Sequence, residues 1–260
     1  METEFVSPHG EAIALTSVGE SASGLPHIVW GHGWNMSSAA LLPMAESLVR
    51  FGFSTLIDFP GFGRSPIPKE TWGTADYADS VAAWLESLPA APRLWVGHSF
   101  GCRVGIQIAA RHPGLLSGMV LIAAAGLPRR RTLLERLRLQ GRRRAFQIAK
   151  MIVPEGPKRD RLRSRFGSVD YQAAAAMRPI FVKVVNEDLT AIAPKVDCPV
   201  LLIYGADDKD TPPELGVRFQ CLIPGAKLVV LDGFDHLGII NQGRHQTVQQ
   251  IQRFLTSLRS

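Results

Sequence analysis

The chain has 260 residues, 46% hydrophobic and 20% charged, so disorder is not the default and the length suffices for one large α/β core. No run of about 18 apolar residues occurs, and the start METEFVSPHGE lacks a basic region followed by an apolar one, so neither a membrane span nor a signal peptide is expected. The net charge of +6 is uneven: residues 129–165 hold 14 Lys/Arg against three acids, a balance of +11, and the remainder comes to −5.

In chain order, Glu4–Ser7 and Glu11–Ser17 read as antiparallel strands at one edge of a sheet. Short apolar runs then recur at His27–Trp30, Ser54–Ile57, Leu94–Val96, Met119–Ala123, Val200–Tyr204 and Lys227–Leu231. Runs of this kind, apolar on both faces, fit parallel strands covered by helices. Helical spacing fills the gaps at Ala39–Arg50, Ala75–Leu88, Cys102–His112 and His245–Leu258. The alternation predicts βαβ units and a mostly parallel central sheet flanked by helices. It breaks once, between Leu127 and Ala193, where only helical pattern is found. Phe146, Ala149, Ile152 and Val153 share one helical face there, and Met177, Ile180 and Phe181 form another apolar stripe. The expected organisation is a core of residues 1–126 and 194–260 with a helical cap, 127–193, inserted before the penultimate strand. Cys102, Cys198 and Cys221 show no CxxC spacing, which argues against disulfides and zinc and for a reducing, cytoplasmic setting.

The chemistry starts at "RLWVGHSFGC", Arg93 to Cys102. An apolar strand ends in Gly97-His98-Ser99-Phe100-Gly101, and a helical pattern follows at once. A strand that turns into a helix within one residue strains that residue and lifts its side chain clear of the sheet edge. Glycines two before and two after relieve the crowding, so G-x-S-x-G in this context is a nucleophile elbow. A serine hydroxyl needs a base, and the base an orienting acid. The order Ser, acid, His leaves His236 and His245 as bases. His245 falls inside the expected terminal helix, whereas His236, in "LDGFDHLG", follows the last strand and is the choice. The strand ending "LIAAAG" offers no carboxylate, but "YGADDKDTP" offers Asp207, Asp208 and Asp210. Asp208 has the best spacing to point across the edge; Asp207 is the runner-up, and a helix-capping role near Pro213 competes for any of the three. The oxyanion donors expected are the backbone N–H of Phe100, at the positive end of the following helix, and that of Trp34 in "VWGHGWNMS". Gly31 and Gly33 in that loop also fit a plain tight turn.

"GHGW", "DFPGFGRS" (Asp58–Ser65), "GHSFG", "GADDKDTP" and "GFDHLG" stand in the order of the α/β-hydrolase superfamily, which the chain resembles over nearly its whole length. The resemblance implies Ser99 as nucleophile, Asp208 as acid, His236 as base, and Trp34 and Phe100 as oxyanion donors. It implies a mobile cap for the insertion and a structural turn for Asp58, Gly61 and Gly63. Asn241 stands near where many members carry a proline, without bearing on the triad. Dehalogenases and epoxide hydrolases of the superfamily carry aspartate at the elbow, so the serine disfavours both.

The leading expectation is a cofactor-free serine hydrolase acting on a small-molecule carboxylic ester through an acyl-enzyme. A carbon–carbon bond hydrolase of a vinylogous diketone and a non-enzymatic ligand receptor on the same fold are the alternatives. No metal-ligand cluster and no GxxxxGK loop occurs in the sequence. "RRRTLLERLRLQGRRRAF" interleaves leucines with arginines and holds one aromatic, Phe146, so nucleic-acid binding is disfavoured and a solvated basic face is the plain reading. The "GHGW" and "DFPGFGRS" stretches are also similar to methyl-ester esterases of biotin synthesis that act on pimeloyl-carrier-protein esters. An acidic acyl carrier protein could then be steered by the basic cap, with Arg142, Arg143 and Arg144 as its patch.

Overall fold

In a computed structural model of the chain, residues 3–7, 10–21, 25–128, 141, 144 and 174–258 are described. The apolar runs become eight strands: β1 (Thr3–Val6), β2 (Ile13–Val18), β3 (His27–Gly31), β4 (Phe53–Asp58), β5 (Arg93–His98), β6 (Gly118–Ile122), β7 (Val200–Gly205) and β8 (Lys227–Leu231). They form one sheet in the order β1-β2-β4-β3-β5-β6-β7-β8. The β1–β2 and β2–β4 pairs are antiparallel and all others parallel, as the mostly parallel reading requires. Among the described residues, the helices with defined bounds are α1 (Leu42–Glu46), α2 (Thr74–Ser87), α3 (Phe100–Arg111), α4 (Arg178–Asn186), α5 (Pro213–Leu222) and α6 (Arg244–Ser257).

Alternation along each strand sends side chains to two separate cores. Val29, Trp95, Met119, Leu121, Leu202 and Tyr204 pack on one face with residues of α2, α3, α4 and α5. Ile28, Trp30, Leu94, Val96, Val120 and Ile203 pack on the other with α1 and α6. Double coverage explains why the central strands read as unbroken apolar runs.

The helix expected over Ala39–Arg50 is shorter than its periodicity suggests. A 3₁₀ turn at Ser38–Ala40 leads into α1, and tight turns follow. Pro43 lies at the start of α1 and brings no N–H. Ser47 Oγ donates to the Pro43 carbonyl at 2.8 Å, and the Leu48 and Phe51 amides bond three residues back.

The expected cap is described only at 127–128, 141, 144 and 174–193; the face carrying Phe146, Ala149, Ile152 and Val153 lies outside the described residues. Met177, Ile180 and Phe181 are buried, as their spacing predicts, and Val184 one turn on is buried with them. The end of α4 is tied to the core by Glu187. Its carboxylate accepts the Thr74 amide at 2.7 Å and the Thr74 hydroxyl, and its carbonyl accepts Arg103 Nη1 at 3.2 Å.

Candidate active site at the sheet edge

Ser99 joins β5 to α3 with φ 49° and ψ −101°, a left-handed backbone that a side chain adopts at a cost of about 1–3 kcal/mol. The surroundings impose it. The Ser99 amide donates to Ile122 O of β6 at 3.0 Å, and the Gly101 amide donates to His32 O beyond β3 at 3.0 Å. The two flanking glycines are required for different reasons. A Cβ on Gly97 would meet the backbone of Gly101 at 2.7 Å, whereas one on Gly101 would collide with the carbonyl of Gly31 on β3. The second glycine thus lets α3 dock on the neighbouring strand.

The loop after β3 is fixed by His32. Carbonyls only accept, so Nδ1–H donates to Gly33 O at 2.7 Å, leaving Nε2 to accept the Phe59 amide at 3.1 Å. Burial, opposed in part by the Gly33 bond, lowers its pKa to about 4, so the ring is neutral. Gly33 O turns toward that ring, and in a trans peptide the Trp34 N–H points the opposite way. Among the described residues neither the Trp34 nor the Phe100 N–H has a hydrogen-bond partner. The Trp34 ring packs on Phe100, Phe62 and Phe181 with centroids 5.5, 4.8 and 5.0 Å apart. Gly33 has no room for a side chain, because a Cβ would stand 2.8 Å from His98 Nδ1.

Asp208 and His236 meet across the loops that follow β7 and β8. His236 Nδ1 lies 2.7 Å from Asp208 Oδ2. The other oxygen, Oδ1, accepts the amides of Asp210 and Thr211, each at 2.8 Å. Burial alone would raise the Asp208 carboxyl, but its bonds from His236 and Thr211 hold it below the usual carboxylate range. Asp207 and Asp210 are exposed, so burial separates three aspartates that spacing alone left in competition. His245 lies exposed on α6, as expected of a surface histidine. Arg144 is helical and exposed; Arg142 and Arg143 lie outside the described residues.

Three side chains beyond those the sequence singles out organise this edge: His32, His98 and Thr211. His98 donates from Nε2 to His236 O at 3.0 Å, linking the residue next to Ser99 with the loop after β8. Thr211 Oγ1 lies 2.8 Å from Asp208 Oδ2, 3.1 Å from His236 Nδ1 and 3.1 Å from Ala123 O. Their neighbours in sequence, "GHSFG" and "DDKDT", mark the place, but only the fold supplies their partners. Among the described residues no group of three His, Cys, Asp or Glu side chains could hold a metal ion.

The turn at Asp58 is structural. Its carboxylate accepts the Ser38 amide at 2.6 Å, and the Arg64 amide and Nε at 3.1 and 2.9 Å. Gly61 and Gly63 have φ of 92° and 56°, and a Cβ on Gly63 would strike the Asp58 carboxylate.

The chain is 28% identical over 222 residues to pimeloyl-[acyl-carrier protein] methyl ester esterase of Chromobacterium violaceum, covering 78% of this chain and 84% of that protein. It is 27% identical over 250 residues to 2-(acetamidomethylene)succinate hydrolase of Mesorhizobium japonicum, covering 89% of each. Among solved structures, the enol-lactonase from Burkholderia xenovorans LB400 superposes with a TM-score of 0.73 at 21% identity, covering 97% of this chain and 100% of that one. A membrane phospholipase A described as a bacterial virulence factor superposes with a TM-score of 0.78 at 24% identity, covering 100% and 87%. No described helix is long and apolar enough to cross a membrane. The family model that matches residues 28–249 spans the sheet edge just described, from the loop after β3 through His236, and the chain belongs to the alpha/beta hydrolase family.

Proposed function

We propose that the protein is a serine hydrolase that cleaves a carboxylic ester through an acyl-enzyme, with Ser99, His236 and Asp208 as nucleophile, base and acid. The observation that carries this is the 2.7 Å bond from His236 Nδ1 to the buried Asp208, on a loop that His98 ties to the residue after it, Ser99, which is held at positive φ. In this reading His236 Nε2 takes the Ser99 Oγ proton as Oγ attacks the ester carbon, then returns it to the leaving alkoxide. Water repeats the sequence on the acyl-enzyme and releases the acid. Asp208 keeps Nδ1 protonated, so Nε2 is the basic nitrogen, and stabilises the imidazolium that forms. The Trp34 and Phe100 N–H groups receive the oxyanion, each donor contributing about 10²–10³ in rate.

A carrier-bound methyl ester is the more specific reading. It draws on the Chromobacterium violaceum esterase as a relative and on the +11 balance of residues 129–165 in an otherwise acidic chain. The primary test is covalent labelling by a fluorophosphonate with p-nitrophenyl ester turnover. Ser99→Ala should lose the label and turnover down to a residual of about 10³–10⁴ over water. Undiminished turnover by a folded Ser99→Ala protein would overturn the assignment.

A further inference from the structure

Asp208 and His236 do not meet alone. The Thr211 hydroxyl stands within 3.1 Å of three polar atoms: Asp208 Oδ2, His236 Nδ1 and the carbonyl of Ala123. The residue that carries it is buried, at 5% exposed. The hydroxyl carries one proton and faces two oxygen acceptors. The carboxylate is both nearer, 2.8 against 3.1 Å, and charged, so the proton goes to Asp208 Oδ2.

The carboxylate is then saturated. Its four lone-pair sites accept His236 Nδ1–H and the Thr211 hydroxyl on Oδ2, and two backbone amides on Oδ1. Two of the four donors come from Thr211 itself, its amide and its hydroxyl. These two bonds hold the plane of the carboxylate, and with it the direction in which His236 is gripped. The hydroxyl also lies against Ala123, whose φ of 50° ends β6 directly after Ile122, the partner of the Ser99 amide. One side chain therefore joins the acid, the base and the strand end that anchors the elbow.

We infer that Thr211 is a positioning residue for hydrolysis, its hydroxyl fixing the Asp208 carboxylate and moderating the charge that Asp208 presents to His236. The inference rests on the triad reading above. Removing the hydroxyl concentrates the carboxylate charge on the single remaining donor to Oδ2, His236 Nδ1–H. That favours the imidazolium, so the base is protonated at a higher pH. The other titratable groups facing the pair are His98 of β5, held neutral by burial and by His236, and Tyr204 of β7, whose hydroxyl is pushed up by burial and donates to Ala124 O. Asp235, on the His236 loop, directs its carboxylate to the Gly238 amide. None of these supplies a second donor to Oδ2.

The test is the pH profile of kcat/KM for a p-nitrophenyl ester in Thr211→Val, Thr211→Ala and Thr211→Ser. Val and Ala should lower kcat about tenfold with KM little changed, and move the acid limb up by roughly half a unit. Serine keeps the hydroxyl and should recover most of kcat together with the wild-type limb. An acid limb that stays in place or moves down in the Val and Ala variants overturns the inference. So does a serine variant as impaired as alanine, even if valine prevents folding. Asp208→Asn and His236→Ala run alongside. If either turns over normally, the triad reading fails; if both are crippled while Thr211→Ala matches wild type, only the role of Thr211 fails.

Discussion

His98 donates its Nε2 proton to the backbone carbonyl of His236 at 3.0 Å, and the two rings lie 5.0 Å apart, tilted by 44°. The remaining nitrogen of His98, Nδ1, is buried without a partner among the described residues. Protonating it would bury an unpaired charge. Burial first, and the adjacent His236 second, lower the pKa of His98 to about 3.

Stability should therefore fall on mild acidification. His32 and His27 are lowered to about 4, both chiefly by burial, and join His98 in resisting protonation. Between about pH 6.5 and these lowered values the unfolded chain binds protons that the folded one refuses. Unfolding free energy should thus drop by about 1.4 kcal/mol per pH unit for each histidine, roughly 4 kcal/mol per unit for the three together. Urea titrations at pH 7.5, 6.5, 5.5 and 5.0 check this. A flat profile between 6.5 and 5.0 would contradict the neutral assignments.

Asp208→Asn should lower kcat by about 10⁴, because an amide holds the wrong tautomer of His236. Asp207→Asn should be nearly silent, since its side chain is exposed and its backbone amide, not its carboxylate, is what bonds Phe234 O. His236→Ala should cost about as much as Ser99→Ala, and His245→Ala almost nothing. Steady-state kinetics on one ester with all five proteins decides it; a crippled Asp207→Asn would reverse the order of the two aspartates.

Gly101→Ala should destabilise the protein by about 1–3 kcal/mol or more, because the new methyl meets the rigid backbone of Gly31. For a chain of this size that is at least a few degrees in Tm. Gly141→Ala, where a Cβ meets nothing within 4 Å, is the control. Equal melting curves for the two would mean that α3 does not need the glycine to dock.

Reversing Arg142, Arg143 and Arg144 to Glu should raise KM for a carrier-bound ester and leave a small free ester unaffected. Added salt should weaken wild-type turnover of the carrier-bound form only, because exposed charges are screened beyond about 8 Å at physiological ionic strength. Salt titration of kcat/KM with both substrate forms is the measurement. Identical, salt-independent values would leave these arginines as solvated surface.

Most of the sheet is legible in the sequence because its central strands are buried on both faces, so each prints a continuous apolar run. Ala39–Arg50 misleads because apolar spacing alone ignores Pro43 and the side-chain bond from Ser47 that competes with a regular helix. Ser99 is legible since its strained turn needs local glycines. The aspartate is legible only in part: spacing favours Asp208 over the adjacent and chemically alike Asp207, and burial with the bond to His236 then separates them. His32, His98 and Thr211 are the least legible, because each acts through partners 27, 138 and 25 residues away.

The elbow has a consequence for the order of events in folding. The Ser99 amide needs β6, and the Gly101 amide needs the loop after β3, so the geometry at Ser99 depends on three strands spread between His27 and Ile122. A half-folded chain holding only β5 and α3 has nothing to impose the positive φ. The serine is therefore an ordinary surface alcohol until the sheet has closed around it. If Ser99 is the nucleophile proposed above, its labelling by a phosphonate should appear only at the last stage of assembly, and a nascent chain should stay unlabelled.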